Sequence, residues 1–385
     1  MARRRYRRKK LSLTSIILSI ILLLIIIAGY YVYNTYFKEE EPFIEAKGDI
    51  SFHFVMLGNE YAGDCVYVKA GENDILIDAG SNTSSIDDIE NYLNKYVTDD
   101  KLEYVIVTHA HEDHIAGFAE ENGSLFDLFE VGVIIDFPKT ESTSKLYSTY
   151  QAERSAEVSL GAKHYNALDC YNNINGGQRI FNLSDDGNIK LEILYNYFYD
   201  HDASTENNYS VCVQFHHGPR KFIFTGDLEE KGEEYLVDYN DLSKVELYKA
   251  GHHGSSTSSC EKFMSAIKPN ISVAQCCAGS VEYSDDIKKG TFPTQSYIDA
   301  IAPYTEKVYV PITIDIVQVE GQDTPSDTSD DKYDNKGNYQ LLNGNIVVIS
   351  EESGVMVECS NNATLLKDTA WFKNYRTLPN DWKVA

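Results

Sequence analysis

The chain is 385 residues long, and its 59 Asp and Glu outnumber 34 Lys and Arg to give a formal charge of −25. Such a field repels polyanions, and beyond the first ten residues no stripe of clustered Lys and Arg interrupts it in the way that counterion-releasing nucleic-acid binding requires. The length admits two domains or one large α/β layer fold, and seven irregularly spaced cysteines, an odd number, exclude a complete disulfide framework or a CxxC zinc site.

Residues 1–10 hold Arg3, Arg4, Arg5, Arg7, Arg8, Lys9 and Lys10, and no charged residue follows from Leu11 through Phe37. That run exceeds the roughly 20 residues a helix needs to cross a bilayer, and Tyr30, Tyr31 and Tyr33 suit its interface. Residues 1–10 therefore read as a basic cytoplasmic tail and 11–33 as a transmembrane signal anchor, retained because no A-x-A cleavage site is evident. The positive-inside rule then puts the rest outside the cytoplasm, on a single-pass protein of the cell membrane. With the seven N-terminal charges set aside, 27 basic residues face 59 acidic ones, a formal charge near −32 for the outer part. Residues 34–48, containing Lys38-Glu39-Glu40-Glu41-Pro42, read as a linker.

A globular unit is expected over 49–360. Ile50 to Leu57 and Asp64 to Ala70 read as paired strands, and Asp74 to Asp78 as a further buried one. Ile86, Ile89, Leu93 and Tyr96 recur at helical spacing behind a Ser85/Asp88 capping box. Tyr104-Val105-Ile106-Val107 is an apolar strand, as is Val131 to Phe137, and Lys145 to Leu160 suits a helix. Lys190 to Tyr197, Tyr209 to Phe215, Lys221 to Thr225 and Val245 to Lys249 make a strand-rich second half, compatible with a duplicated sheet. The cysteines read as small core residues, with the adjacent Cys276 and Cys277 redox-active only if exposed. Residues 320–338, rich in Asp, Ser and Gly, read as an acidic loop, and 361–385 as a C-terminal tail.

The first apolar strand of chemical interest runs into Thr108-His109-Ala110-His111-Glu112-Asp113-His114, four potential ligands in the order HxHxDH. Alternate side chains at a strand end reach one cation, and residues on the first turn of a following helix reach a second. Imidazole and carboxylate suit borderline divalent ions such as Zn²⁺ or Mn²⁺. Asp78-Ala79-Gly80, Thr225-Gly226-Asp227 and Gly251-His252-His253-Gly254-Ser255 close three other strands.

Together these segments resemble the metallo-β-lactamase superfamily, and within it the hydrolase domain of ComEC-type competence proteins. The narrower likeness rests on Gly63-Asp64-Cys65, Ile75 to Gly80, Glu206-Asn207-Asn208-Tyr209-Ser210, Phe224 to Asp227 and Ala250 to Ser255. The resemblance implies a four-layer αββα sandwich, preceded here by one N-terminal transmembrane helix, with two divalent metal ions at one edge of its sheets. By the same carry-over His109, His111 and Asp227 hold the first ion. Asp113, His114, Asp227 and either His252 or His253 hold the second, with Asp227 bridging. Asp78 joins Asp113 and Asp227 among the catalytic carboxylates as an orienting partner, against a plainer reading as a turn cap.

Two departures from the family pattern stand out. Asn207-Asn208-Tyr209-Ser210 occupies the region where many relatives place another metal histidine, as in the ComEC type, with His201, His216 and His217 nearby and reading as surface residues. Phe292-Pro293 stands where ComEC-like domains often carry His-Pro. The function implied is hydrolysis of a phosphoester, in a small molecule or a nucleic acid, by an attacking hydroxide that two cations generate. Two other readings are hydrolysis of a non-phosphate ester or amide, and a catalytically silent binding module on the same scaffold. A role in DNA uptake would need a separate channel protein, and the oligomeric state is open.

Overall fold

A computed structural model describes residues 21–29, 49–280, 282, 290–314 and 339–383. By internal contacts the chain divides into Met1–Pro42 and Phe43–Ala385. In the first unit residues 21–29 are helical and Ile21 through Ile27 are exposed. Among the described residues no helix is long and apolar enough to cross a membrane. The rest of the expected anchor, the basic tail, the linker and the 320–338 loop lie outside the described residues.

The second unit is built on two large sheets. The first runs in the order β18 (Gly354–Cys359), β17 (Ile346–Glu351), β1 (Ile50–Phe54), β2 (Asp64–Ala70), β3 (Asn73–Gly80), β4 (Lys101–Ile106), β5 (Glu130–Asp136) and β6 (Lys163–Asn166). The second runs β14 (Val308–Tyr309), β12 (Ile271–Val273), β11 (Leu247–Lys249), β10 (Arg220–Phe224), β9 (Val213–His217), β8 (Ile189–Ile193) and β7 (Ile180–Asn182). A three-stranded sheet joins β13 (Cys277–Ala278), β15 (Ile312–Ile314) and β16 (Tyr339–Leu341). Because β17 and β18 come from the far end of the chain and pair beside β1, the halves of the sequence are not the halves of the sandwich.

The large sheets meet through aromatic side chains. Phe52 of β1 lies 4.6 Å from Phe222 of β10 and 5.4 Å from Phe215 of β9, centroid to centroid. Burying rings of this size contributes roughly 1.5–3 kcal/mol each. Helices α1 (Ile86–Leu93) and α2 (Lys145–Leu160) pack on the first sheet, while α3 (Glu230–Tyr239), α4 (Glu261–Ile267) and α5 (Gln295–Ile301) share a second core cluster with Ile223 and Tyr248. The layers are therefore helix, sheet, sheet, helix. Strands β3, β4 and β5 run parallel, as do β10, β11 and β12. The segments that follow their C-terminal ends carry the ligand candidates.

Two expectations need correction. Ser85 makes no side-chain cap to α1; its hydroxyl donates to the Asn82 carbonyl and accepts from Ser81 N–H, which closes the turn after β3. Cys276 and Cys277, by contrast, are buried core residues as expected, and burial pushes the Cys276 thiol up to about 12. The 361–383 stretch is no loose tail, because Leu366, Trp371, Phe372 and Trp382 are buried in the second core cluster. Its Arg376 lies over the Trp371 ring and donates to the carbonyls of Thr291 and Pro293. Deleting residues 361–385 is therefore expected to remove several kcal/mol, about 1.5–3 for each large apolar side chain, on the order of a domain's whole net stability. Chemical denaturation of the truncated and full chains checks this; an unchanged midpoint would return the segment to the status of a tail.

Candidate metal centre

The backbone at the site is held in unusual conformations. Asp78, His252 and His253 have φ of +56°, +48° and +54°, a left-handed region that disfavours any residue with a Cβ, and such strain collects at functional sites. Gly226, at φ +53°, precedes Asp227 in a turn so tight that a Cβ there would lie 2.9 Å from both Ser210 Oγ and Thr108 Cβ. These turns aim the side chains inward.

Asp113, His114, Asp227 and His253 converge, each offering a ligand atom within 4.8 Å of the others. Asp227 Oδ2 lies 3.2 Å from His114 Nε2 and 3.2 Å from His253 Nε2, and the latter is 3.3 Å from Asp113 Oδ2. His114 Nε2, His253 Nε2 and Asp227 Oδ2 are buried, and none has a hydrogen-bond partner among the described residues. Buried polar atoms are nearly always satisfied, so three orphans pointing at one another fit a divalent cation. The electrostatics agree. Burial works against charge on His114 and His253, but Asp227 and the neighbouring carboxylates outweigh it and hold both imidazoles well above their ordinary value. The cluster thus attracts positive charge, and a cation entering it would displace those protons.

His109 and His111 form a second pair beside this cluster, with His109 Nε2 and His111 Nδ1 3.0 Å apart. Thr108 fixes the first ring. Its hydroxyl donates to Asp78 Oδ2 at 2.7 Å, so it accepts the His109 Nδ1–H at 3.1 Å and leaves Nε2 with its lone pair outward. Asp78 also accepts from Thr108 N–H at 2.7 Å and from His114 Nδ1 at 2.8 Å. It is both turn residue and orienting partner.

The geometry separates the histidines that sequence leaves equivalent. His253 is fully buried, with Nδ1 held by the Gln275 carbonyl at 2.9 Å and Nε2 in the cluster. His252 is a fifth exposed, binds Thr257 Oγ1 through Nδ1 at 2.9 Å, and keeps Nε2 3.8 Å from Asp227 Oδ2, so it is the one that a substrate can reach. His201, His216 and His217 stand elsewhere, on Asp200, Glu192 and Ser350; His217 is buried rather than superficial. Phe292 lies against both ligand-loop rings, 5.8 Å from His252 and 6.1 Å from His253, as an apolar wall.

Sequence reasoning gave no role to Asp64 and Lys249. Asp64 is buried between Lys249 Nζ and His253 Nδ1, the latter at 3.2 Å. Burial opposes ionisation of Asp64, yet Lys249 and His253 pull its carboxyl below the usual range. The available signal was a lysine closing the apolar strand Val245 to Lys249 two residues before the His252 loop, since an interior lysine needs a buried partner.

Residues 58–121 match the family described as "Metallo-beta-lactamase superfamily". The stretch that carries the HxHxDH run thus belongs to that superfamily, and fold and site together define a metallo-β-lactamase-fold protein with clustered metal-ligand candidates. Over short segments the chain is similar to competence proteins. It is similar to "ComE operon protein 3" of Bacillus subtilis, 33% identical over 72 residues that make up 19% of this chain and 9% of that protein. It is also similar to "Competence protein ComA" of Neisseria gonorrhoeae, 34% identical over 96 residues, 25% of this chain and 13% of the relative. The matched segments span about a tenth of these relatives' length. Among solved structures, the metallo-beta-lactamase fold protein YhfI from Bacillus subtilis aligns with 68% of this chain and 95% of its own at 12% identity, TM-score 0.38.

Proposed function

We propose that the chain is a membrane-anchored, extracytoplasmic phosphodiesterase with two divalent cations. The observation that carries this reading is the trio of unpartnered buried atoms on His114, His253 and Asp227, beside the ready lone pair of His109. In the proposed assignment His109, His111 and Asp227 hold one ion, and Asp113, His114, Asp227 and His253 the other. Bound there, the ions would supply an acidified water and charge neutralisation for phosphoryl oxygens. The protein's own part is orientation. Asp78 and Thr108 set the tautomers of His114 and His109, the Gln275 carbonyl does so for His253, and Phe292 is an apolar wall against the His252 and His253 rings. Phe292 has no transferable proton, so no acid for the leaving group comes from that position. The complete ligand set argues against a silent binding module.

Anchoring rests on the uncharged run and on the exposed aliphatic side chains of residues 21–29, an apolar surface that needs a cover. For substrate size the charge of −25 favours small or surface-tethered phosphodiesters over free polyanions.

The test compares a chromogenic phosphodiester with single-stranded DNA, using Mn²⁺- or Zn²⁺-loaded protein at rising salt. The small ester is expected to turn over at a rate nearly independent of salt, and DNA cleavage to rise as screening relieves repulsion. DNA cleavage that is fastest at low salt would instead mark a nuclease with a local cationic track, and metal-loaded protein that cleaves neither substrate would refute phosphodiester hydrolysis.

A further inference from the structure

We infer that Lys249, with Asp64 as its counter-charge, is a positioning residue that commits Asp227 to the metal centre through one oxygen only. This rests on the two-cation reading above and concerns residues to which the ligand set assigns no part.

Lys249 ends β11 and is buried. Its ammonium has three N–H donors and no acceptor, and it meets three oxygens: Asp64 Oδ2, the Gly226 carbonyl at 3.2 Å and Asp227 Oδ1 at 3.3 Å. Every donor is used. The Asp227 carboxylate is thereby divided, with Oδ1 turned to the ammonium and Oδ2 left without a hydrogen bond, 3.2 Å from both His114 Nε2 and His253 Nε2. A carboxylate free at both oxygens can chelate one ion or span two. Held as it is here, it can offer only Oδ2, which must serve both ions if it bridges.

Asp64 also lies beside a second ligand. One of its oxygens takes the ammonium and the other faces His253 Nδ1 at 3.2 Å. The His253 ring is itself held by the Gln275 carbonyl at 2.9 Å, so of the four clustered groups the buried ion pair directs Asp227 and adds only charge beside His253. An ammonium this close to a cation site repels the cation, and burying it is itself unfavourable. If the pair served only packing, an apolar side chain would fill the place without either penalty. The Gly226 contact adds direction, because it ties the ammonium to the turn that presents Asp227.

The experiment uses the full chain in detergent with Co²⁺ as a spectroscopic probe and compares wild type, K249M and K249Q. Readouts are ions bound per chain, affinity by chelator competition, and the ligand shell by X-ray absorption. In K249M the freed Oδ1 is expected to enter the shell, giving two-oxygen carboxylate coordination, and affinity for at least one ion is expected to fall about 10–100-fold. K249Q can still donate to Oδ1 and is expected to keep the one-oxygen mode, with a smaller affinity loss. Should K249M fail to fold, K249Q and D64N carry the test, D64N being expected to weaken Co²⁺ binding while K249Q preserves the shell. Folded variants that bind Co²⁺ with wild-type affinity and an unchanged shell, differing only in melting temperature, would overturn the inference and leave the hydrolase reading intact. Wild type that loads two ions, with the predicted response in K249M, but cleaves no phosphodiester would overturn the function and leave this inference standing. Wild type that binds no Co²⁺ would overturn both.

Discussion

Asp227→Ala is expected to abolish metal-dependent phosphodiester cleavage and to empty the centre of at least one ion. Asp227 is the group on which the site converges: its Oδ2 faces His114, His253 and, at 3.8 Å, His252, while its Oδ1 takes Lys249. Burial disfavours its charge, yet His253, His114 and Lys249 hold its carboxyl well below the ordinary range. Without that charge the two imidazoles keep only weaker partners, and a cation finds no bridging oxygen. Losing a single electrostatic donor at an active site costs about 10²–10³-fold, so removal of a ligand shared by two ions should cost at least about 10³-fold in turnover. The fold should survive, because Ser210 Oγ accepts from the backbone N–H of Asp227 and not from its side chain. The check is metal content and phosphodiester turnover of the purified variant beside its far-ultraviolet circular dichroism. Full activity in a folded D227A protein would remove the site from this edge of the sandwich.

How much of this was legible in the chain depends on whether the signal is local. Lys145 to Leu160 and Asp64 to Ala70 have the bounds their patterns give, because periodicity and turn residues are written into each segment. The HxHxDH run is local as well, and it places His109, His111, Asp113 and His114 at one strand end. Tertiary facts are not so written. The C-terminal aromatics Trp371, Phe372 and Trp382 have no periodic pattern, so their segment reads as a tail until a core is there to receive them. The strand expected at Tyr209 to Phe215 begins at Val213, because Glu206–Tyr209 turns as a short helix whose Glu206 carboxylate accepts from Ala110 N–H and Glu141 N–H. His252 and His253 are adjacent in sequence and differ only through positive φ, Thr257 and Gln275, none of which follows from their spacing. Asp64 and Lys249 meet across 185 positions and become informative only when the fold brings them together.

The paired substitutions Asp78→Ala and Asp78→Asn separate two roles that the structure superimposes. Asp78 sits at φ +56° and accepts from Thr108 N–H, the Thr108 hydroxyl and His114 Nδ1. Alanine gains no help in the left-handed region, about 1–2 kcal/mol, and strands a buried N–H at about 1–3 kcal/mol more, so D78A is expected to lose roughly 3 kcal/mol of stability. Asparagine tolerates that backbone and can still accept from Thr108 N–H, so D78N should fold. Its amide NH₂ then faces His114, where the carboxylate accepted a proton. His114 must turn Nδ1 into an acceptor and carry its proton on Nε2, the atom aimed at Asp227 and the proposed ion. Orienting partners of this kind are worth about 10–100-fold in metal affinity, and D78N should show a loss of that size with little change in its denaturation midpoint. Chelator competition together with denaturation of both variants measures the two effects separately. If Asp78 were only a left-handed backbone position near the end of β3, D78N would bind metal as the wild type does, and the ligand histidine would owe its orientation to something other than this carboxylate.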